Sequence, residues 1–339
     1  MTKTKSASAT IHDVARAAGV SVATVSRYIN HSAPVSLEVT ARLEKVMAEM
    51  QYTPQATARS LATHKTYTIG LLLTNISGDF FAPLLSGVEA ATGDSGYDLL
   101  ISSTHHPDRR QGGPSPLGPH NTDGLLVFAD SLDENGLIHF HSKNFPMVLI
   151  HRSPPPHLPI PCVTVENKAA TCKIVEHLIE VHRRKRILFL SGPQEQEDSL
   201  WREQGYRQAL SDHNLPYDPA LVIPGGFDRD IAQASMQILL ASGTDFDSVF
   251  TGDDEAAVGV LAALHAVGKC VPEEIAVVGF DDQRMSPYLT PPLTTVRAPT
   301  EQVGRVAAEQ LIQLIRTGQA DRLSLLPTDI VIRQSCGCE

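Results

Sequence analysis

Residues 10–30 read TIHDVARAAGVSVATVSRYIN, and this stretch decides the N-terminal fold. Thr10 and Asp13 stand at the spacing of a helix start, a shorter-armed version of the Ser/Thr-x-x-Glu capping box. Val14, Ala15 and Ala18 give the next helix one apolar face, and Ala15 is small enough for a close crossing. Gly19 supplies the backbone freedom for a tight turn. Ser21 caps a second helix in which Val25 and Ile29 face inward at i, i+4. Val22, Ala23, Ser26 and Arg27 then face outward near its start. This is the pattern of a helix-turn-helix, whose second helix places its early residues at base edges in the major groove. The spacing implies a double-stranded DNA partner.

A third helix follows. Ser36 caps it, and Val39, Leu43, Val46, Met47 and Met50 form a stripe that closes a small three-helix core. Tyr52-Thr53-Pro54 ends it. The segment QATARSLATHKT (55–66) flanks Leu61 with Ala56, Ala58 and Ala62. It is too short and small-sided to be a stable helix alone in water. It is expected to fold when pinned against DNA and a two-fold mate.

From Thr68 the pattern alternates between strands and helices. Buried parallel strands are expected at 68–73, 97–102, 124–128, 147–150, 163–165, 186–190, 248–251 and 275–279. Helices are expected between them at 83–93, 169–181, 202–214, 231–242, 255–267 and 300–317. Eight or more strands over about 270 residues suggest two doubly wound α/β sheets rather than one. Two stretches interrupt the alternation. PDRRQGGPSPLGPH (107–120) carries four prolines and three glycines where a crossover helix would stand, so a regular helix is not expected there. PPPHLPIP (154–161) is stiff and loop-like, and falls where the chain could pass between two halves.

The chain has 339 residues and a net charge of −10, which looks wrong for a DNA binder. The distribution resolves this. Residues 1–65 hold eight Lys/Arg and four Asp/Glu, a net of +4 that leaves −14 on the remainder. A basic headpiece on an acidic body concentrates phosphate attraction at one end. No apolar run reaches membrane-spanning length, and MTKTKSASAT lacks the apolar core of a secretory signal. The five cysteines, at 162, 172, 270, 336 and 338, form no disulfide framework. A reduced, cytoplasmic setting is expected. Cys336-Gly-Cys338 lacks a second pair or a nearby histidine cluster in sequence, so no metal site is expected. There is no G-x-S-x-G, no phosphate-binding loop and no metal-ligand pair, so an enzyme is not expected either.

Taken together, these segments resemble the LacI/GalR family of bacterial transcriptional repressors over essentially the full chain. The resemblance is carried by DVARAAGVSVATVSRYIN, YTPQATARSLAT, FFAPLLSGVEAA, TDGLLVF, RILFLSGP, WREQGYRQAL, VVGFDD, LTPPLTTVRAP and DIVIRQSC. It implies an all-α headpiece (1–53), a hinge helix (54–66) and a periplasmic-binding-protein-like core (67–339). The core would consist of two doubly wound subdomains joined by three crossovers, about 67–161 with 293–325 and about 162–292 with 326–339. A small ligand would bind between them. DNA contacts would come from Thr10, Ser21, Val22, Ala23, Thr24, Ser26, Arg27 and Asn30, and from hinge residues Gln55, Ala58, Arg59 and Leu61. Arg27 is the main specificity candidate, since bidentate guanine contacts are the commonest specific pairing. Leu61 matches an apolar wedge that kinks the minor groove, and Gln55 stands where the family usually has asparagine.

In the core, the resemblance implies ligand contacts from Phe80, Phe81, Arg202, Phe227, Asp253 and Asp281. Charged groups for hydroxyls beside aromatics for ring faces are the chemistry of a sugar site. Asp253 replaces an asparagine common in the family, and His151 stands where aspartate is common. The extra acceptor character points to a neutral sugar rather than a phosphorylated one. The expected assembly is a homodimer on a near-palindromic operator, with no cofactor. A sugar-binding transport protein without DNA function is the rival that the core alone would fit.

Overall fold

The computed structural model describes residues 9–30, 33–52, 65–104 and 115–339. The chain divides into two compact units, Met1–Thr66 and Tyr67–Glu339.

The first unit holds α1 (Ile11–Ala18), α2 (Val22–Asn30) and α3 (Leu37–Glu49). Thr10 and Asp13 do form a capping box. The Asp13 carboxylate accepts from the Thr10 amide at 3.0 Å and from its hydroxyl at 2.6 Å. Gly19 closes α1 in the left-handed conformation, φ 63°. Ser21 accepts from Thr24 N at 3.1 Å and so caps α2. Val14, Ala15, Ala18, Val25 and Leu43 make the buried centre. Tyr28 donates to Glu44 at 3.1 Å and fastens α2 to α3.

The second unit contains two six-stranded sheets. The first uses β1 (Thr68–Leu73), β2 (Asp98–Ser103), β3 (Gly124–Phe128), β4 (Met147–Ile150), β5 (Cys162–Val165) and β11 (Leu323–Leu326), in the order β2-β1-β3-β4-β5-β11 and wholly parallel. The second uses β6 (Ile187–Ser191), β7 (Val222–Pro224), β8 (Ser248–Thr251), β9 (Ala276–Asp281), β10 (Thr294–Arg297) and β12 (Asp329–Val331), in the order β7-β6-β8-β9-β10-β12. Only the β10–β12 pair is antiparallel. Both sheets therefore share one winding, with its switch points at β1/β3 and β6/β8. The central strands are buried along their length, as expected for strands covered on both faces.

Seven further helices cover the sheets: α4 (Phe81–Asp94), α5 (Glu134–Ser142), α6 (Lys168–Glu180), α7 (Glu197–Asp212), α8 (Arg229–Ser242), α9 (Asp254–Ala266) and α10 (Thr300–Thr317). The passages between the halves differ from those expected. Cys162–Val165 lies in the first sheet and Thr294–Arg297 in the second, so the crossings fall at Glu166–Asn167, Ala298–Pro299 and Pro327–Thr328. The proline run 154–161 does not cross. It folds back so that Leu158 and Ile160 bury against the first sheet, which returns the chain as β5 beside β4. Two crossings are laced together: Glu166 N donates to Leu326 O at 2.9 Å, and Thr328 Oγ1 donates to Glu166 O at 3.0 Å. Of the Pro/Gly-rich stretch before β3, residues 107–114 lie outside the described residues, and 115–122 form bends and turns that bury Leu117 and Thr122.

Helices α4 and α10 touch through glycines. A methyl group on Gly87 would stand 1.9 Å from Glu301 O, and one on Gly304 would stand 2.2 Å from Leu84 O. No side chain fits without separating the helices. Gly304→Val should therefore cost at least about 1–3 kcal/mol, an overpacking penalty, and lower the Tm by about 5 °C or more. A thermal melt of the variant checks this, and an unchanged Tm contradicts the close crossing.

Candidate functional site

Two surfaces carry the residues singled out in the sequence. On the first unit, Ala23 and Arg27 are exposed one turn apart on α2, hence on the same face. Thr10 and Ser21 are exposed, while Thr24 and Ser26 are half-buried. The Thr24 and Ser21 hydroxyls lie 2.9 Å apart at the helix start. Val22 is not fully outward as expected. It is half-buried and packs against the headpiece core. The side chain of Asn30 and residues Gln55, Ala58, Arg59 and Leu61 lie outside the described residues.

On the second unit, a cleft opens at the carboxyl ends of both sheets, beside their switch points. It holds about 740 Å³ of empty space, counting its open mouth. The loop after β1 supplies Thr74–Asn75 and Ser77–Phe81, and β3 ends in Phe128. The other wall comes from the ends of β6, β7, β8 and β9, as Asp198, Arg202, Phe227, Asp253 and Asp281. All six core residues expected at the ligand site line this one cleft.

Arg202 forms its floor and is 3% exposed. Its Nε donates to Asn167 Oδ1 at 2.9 Å, Nη1 to Gly252 O at 2.5 Å and Nη2 to Asp281 Oδ1 at 3.4 Å. The guanidinium lies over the Phe280 ring, 3.7 Å from its centroid, and 5.2 Å from that of Phe227. Phe227 sits at φ 53° directly after Gly226, so a left-handed turn presents its ring. That ring rests on bare backbone, since a methyl group on Gly192 would come within 2.2 Å of it. On the facing wall, Phe80 and Phe81 meet edge to face with centroids 5.3 Å apart.

The acids respond to burial and to one another. Burial pushes Asp253 well above the usual carboxylate range, the neighbouring Asp281 adds to the rise, and Arg202 opposes it. Asp281 is also raised by burial, with Arg202 pulling it back. Burial pushes Asp198 upward too. His151, Arg202 and the Asn167 amide outweigh that push and hold it below the ordinary value.

Residues 10–55 match the bacterial regulatory proteins of the lacI family, and residues 175–336 match the periplasmic binding protein-like domain. The ribose operon repressor of Escherichia coli is 34% identical over 94% of this chain and 97% of that protein. The probable transcriptional repressor ExuR of Bacillus subtilis is 31% identical over 96% and 98%. The chain belongs to the lacI family of bacterial regulatory proteins. It is a helix-turn-helix transcriptional regulator with a periplasmic-binding-protein-like core. A solved regulator, CelR in complex with cellobiose, shares 30% identity at a TM-score of 0.72 and covers 96% of this chain and 99% of that one. The lac repressor dimer bound to operator has the same fold, with a TM-score of 0.81 at 23% identity over 97% and 99%. Among the described residues, no helix is long and apolar enough to cross a membrane.

Several residues of this lacI-family site escaped the sequence reading as partners. His151 Nδ1, at the end of β4, lies 2.8 Å from Asp198 Oδ2 on α7 and so joins the two walls. Ser153 donates through its amide and hydroxyl to Glu197, the hydroxyl at 2.6 Å. Asp254 accepts from Gln283 N at 2.9 Å, Ser286 Oγ at 2.5 Å and Thr295 Oγ1 at 2.6 Å, a network that braces the β8 and β9 ends. The second aspartate of GFDD, Asp282, pairs with Arg297 at 2.7 Å and Arg333 at 2.6 Å. Cys336 and Cys338 have no histidine cluster near them in sequence, but they do in space. His177 and His182, more than 150 positions earlier, fold beside them.

Asparagine caps a helix as well as aspartate does, so Asp253→Asn keeps the hydrogen bond to Ala256 N at 2.9 Å and removes one buried charge. With a raised folded pKa, the charged Asp253 weakens the fold fully above that raised value and not at all below about 3.8. Asp253→Asn should raise the Tm by a few degrees at neutral pH, and the gain should shrink as the pH falls through that window. A Tm loss at neutral pH would contradict the electrostatic account.

Proposed function

We propose that this lacI-family regulator is a cytoplasmic repressor that binds operator DNA as a homodimer and responds to a neutral sugar-like effector in the cleft. It acts by binding alone and not by catalysis. The charge balance of the cleft carries the effector class. Among the described residues, Asp79, Asp198, Asp253, Glu255 and Asp281 line it against one cation, Arg202. A polyhydroxyl ligand offers donors to those carboxylates and a ring face to Phe227. A phosphorylated ligand adds anionic charge where acids already dominate. The relatives named for ribose and solved with cellobiose support a sugar. The headpiece and the family favour this over a transport protein.

Operator affinity follows if the effector binds two core states unequally, a coupling of about 1–3 kcal/mol in ordinary allosteric systems. Trp201 reports on that change. Its indole donates to Glu197 at 3.0 Å, the carboxylate that also receives Ser153 from the facing wall. Titrating the full chain with neutral sugars and sugar phosphates should give a saturable fluorescence change with a neutral sugar, and weaker binding of its phosphate. A flat response, repeated by calorimetry, overturns the sugar reading. Tighter binding of the phosphate overturns the neutral one.

Base readout is assigned to Arg27, with Ala23 and the accessible part of Val22 against thymine methyl groups. Arg27→Ala should weaken operator binding by about 1–3 kcal/mol, while affinity for unrelated DNA falls far less. Equal losses on both DNAs in a gel-shift titration would reduce Arg27 to a phosphate contact.

A further inference from the structure

The C-terminal turn carries a second chemical site away from the cleft. After β12 the chain runs back under the second sheet. Ser335 Oγ accepts from Thr294 N at 2.8 Å and donates to Val277 O at 2.6 Å, which pins the turn between β9 and β10. Cys336 is fully buried just beyond it, and Cys338 is partly buried. Gly337 between them has φ 107°, and a methyl group there would press to 3.1 Å from His182 Nδ1. The glycine thus lets the Cys-x-Cys turn close against a histidine. His177 lies in the last turn of α6, and His182 follows just past its end.

Four ligand atoms converge here, all within 4.8 Å of one another. His177 Nε2 and His182 Nε2 are 3.2 Å apart, and Cys338 Sγ is 3.6 Å and 3.4 Å from them. A tetrahedral zinc ion with Zn–N near 2.0–2.1 Å and Zn–S near 2.3 Å requires N···N of about 3.3 Å and N···S of about 3.5–3.6 Å. The three spacings among His177, His182 and Cys338 match these edges to within about 0.2 Å. Two histidine nitrogens and a thiol can share hydrogen bonds, but that does not require a fourth donor, Cys336, within 4.8 Å of all three. Thr294 Oγ1, 3.1 Å from Cys336 Sγ, supplies the hydroxyl that steadies a ligating thiolate.

We propose that His177, His182, Cys336 and Cys338 bind one zinc ion, which clasps the C-terminal turn to the end of α6. Thiolate and imidazole ligands in a closed tetrahedron select zinc over magnesium or calcium, and four protein ligands leave no open position for catalysis. The clasp is structural. It joins segments more than 150 residues apart, so its binding free energy adds to the stability of the fold.

Full-length protein, purified under reducing conditions with any histidine tag removed and dialysed without chelator, should retain one zinc per chain. Cobalt(II) added after zinc is stripped should give the visible bands of a tetrahedral thiolate site. Cys338→Ser and His182→Gln should each lose those bands while keeping the native circular dichroism. Cys270→Ser, an exposed cysteine outside the cluster, should keep them. In the unmodified chain, zinc should slow alkylation of Cys338 by at least about tenfold, a readout that survives if a variant fails to fold. Substoichiometric zinc with no cobalt bands overturns the site. So do bands that persist in both ligand variants, or a Cys338 alkylation rate indifferent to zinc.

Discussion

One buried guanidinium fixes the floor of the cleft. Arg202 draws together the start of α6 through Asn167, the end of β8 through the Gly252 carbonyl and the end of β9 through Asp281. Asn167, Gly252 and Asp281 lie at the ends of different strands, and the β8–β9 ladder stops short of them at Phe250 and Val278. A buried cation whose partner is removed leaves an uncompensated charge, typically costing about 3–5 kcal/mol. The guanidinium therefore over-determines loops that would otherwise fray, and the Phe280 ring beneath it removes the remaining freedom. Phe227, seated on Gly192, and Asp253, capping α9, are positioned against that fixed point.

The shared winding of the two sheets explains why the cleft faces the strand ends that it does. In each half the order reverses once, between β1 and β3 and between β6 and β8. Loops leaving adjacent strands at a reversal run to opposite faces and leave a crevice, the usual ligand position in open α/β sheets. Here two crevices face each other. The first contributes the Phe80–Phe81 corner, and the second contributes Arg202 with the carboxylates.

Legibility in the sequence followed the range of the interactions. The headpiece was readable almost to the residue, because caps, turn glycine and apolar stripe lie within a few positions of one another. Strands Gly124–Phe128, Met147–Ile150 and Ser248–Thr251 and helix Thr300–Thr317 were also readable, each from local apolar pattern or spacing. The short strands β7, β11 and β12 were not, since three or four half-exposed residues carry no period. The crossings were displaced because a proline run signals a stiff loop but not which sheet it rejoins. The residues proposed for the ligand site came from resemblance, and their supports, His151, Asn167 and Asp198, were missed as partners because they meet only in space. His177 and His182 were missed beside the C-terminal cysteines for the same reason.

The acids that define the cleft also give it a reason to respond. Asp253 and Asp281 are buried, burial raises the proton affinity of both, the charge of Asp281 adds to the rise of Asp253, and Arg202 opposes both. That arrangement is not fully compensated by protein groups alone. Across the mouth, His151 and Asp198 make a close polar contact between the two walls, and Ser153 reaches Glu197 beside it. The wall-to-wall contacts favour a closed cleft, while unquenched carboxylate charge inside it opposes closure. A ligand that brings hydroxyl donors relieves the second term without disturbing the first. Under the proposed function such a ligand would bind a closed arrangement more tightly than an open one, and only such a difference can shift the equilibrium. A ligand that brought further negative charge would add to the opposing term. On the proposed function, recognition and conformational preference would then share one origin, the crowded set of acids around Arg202.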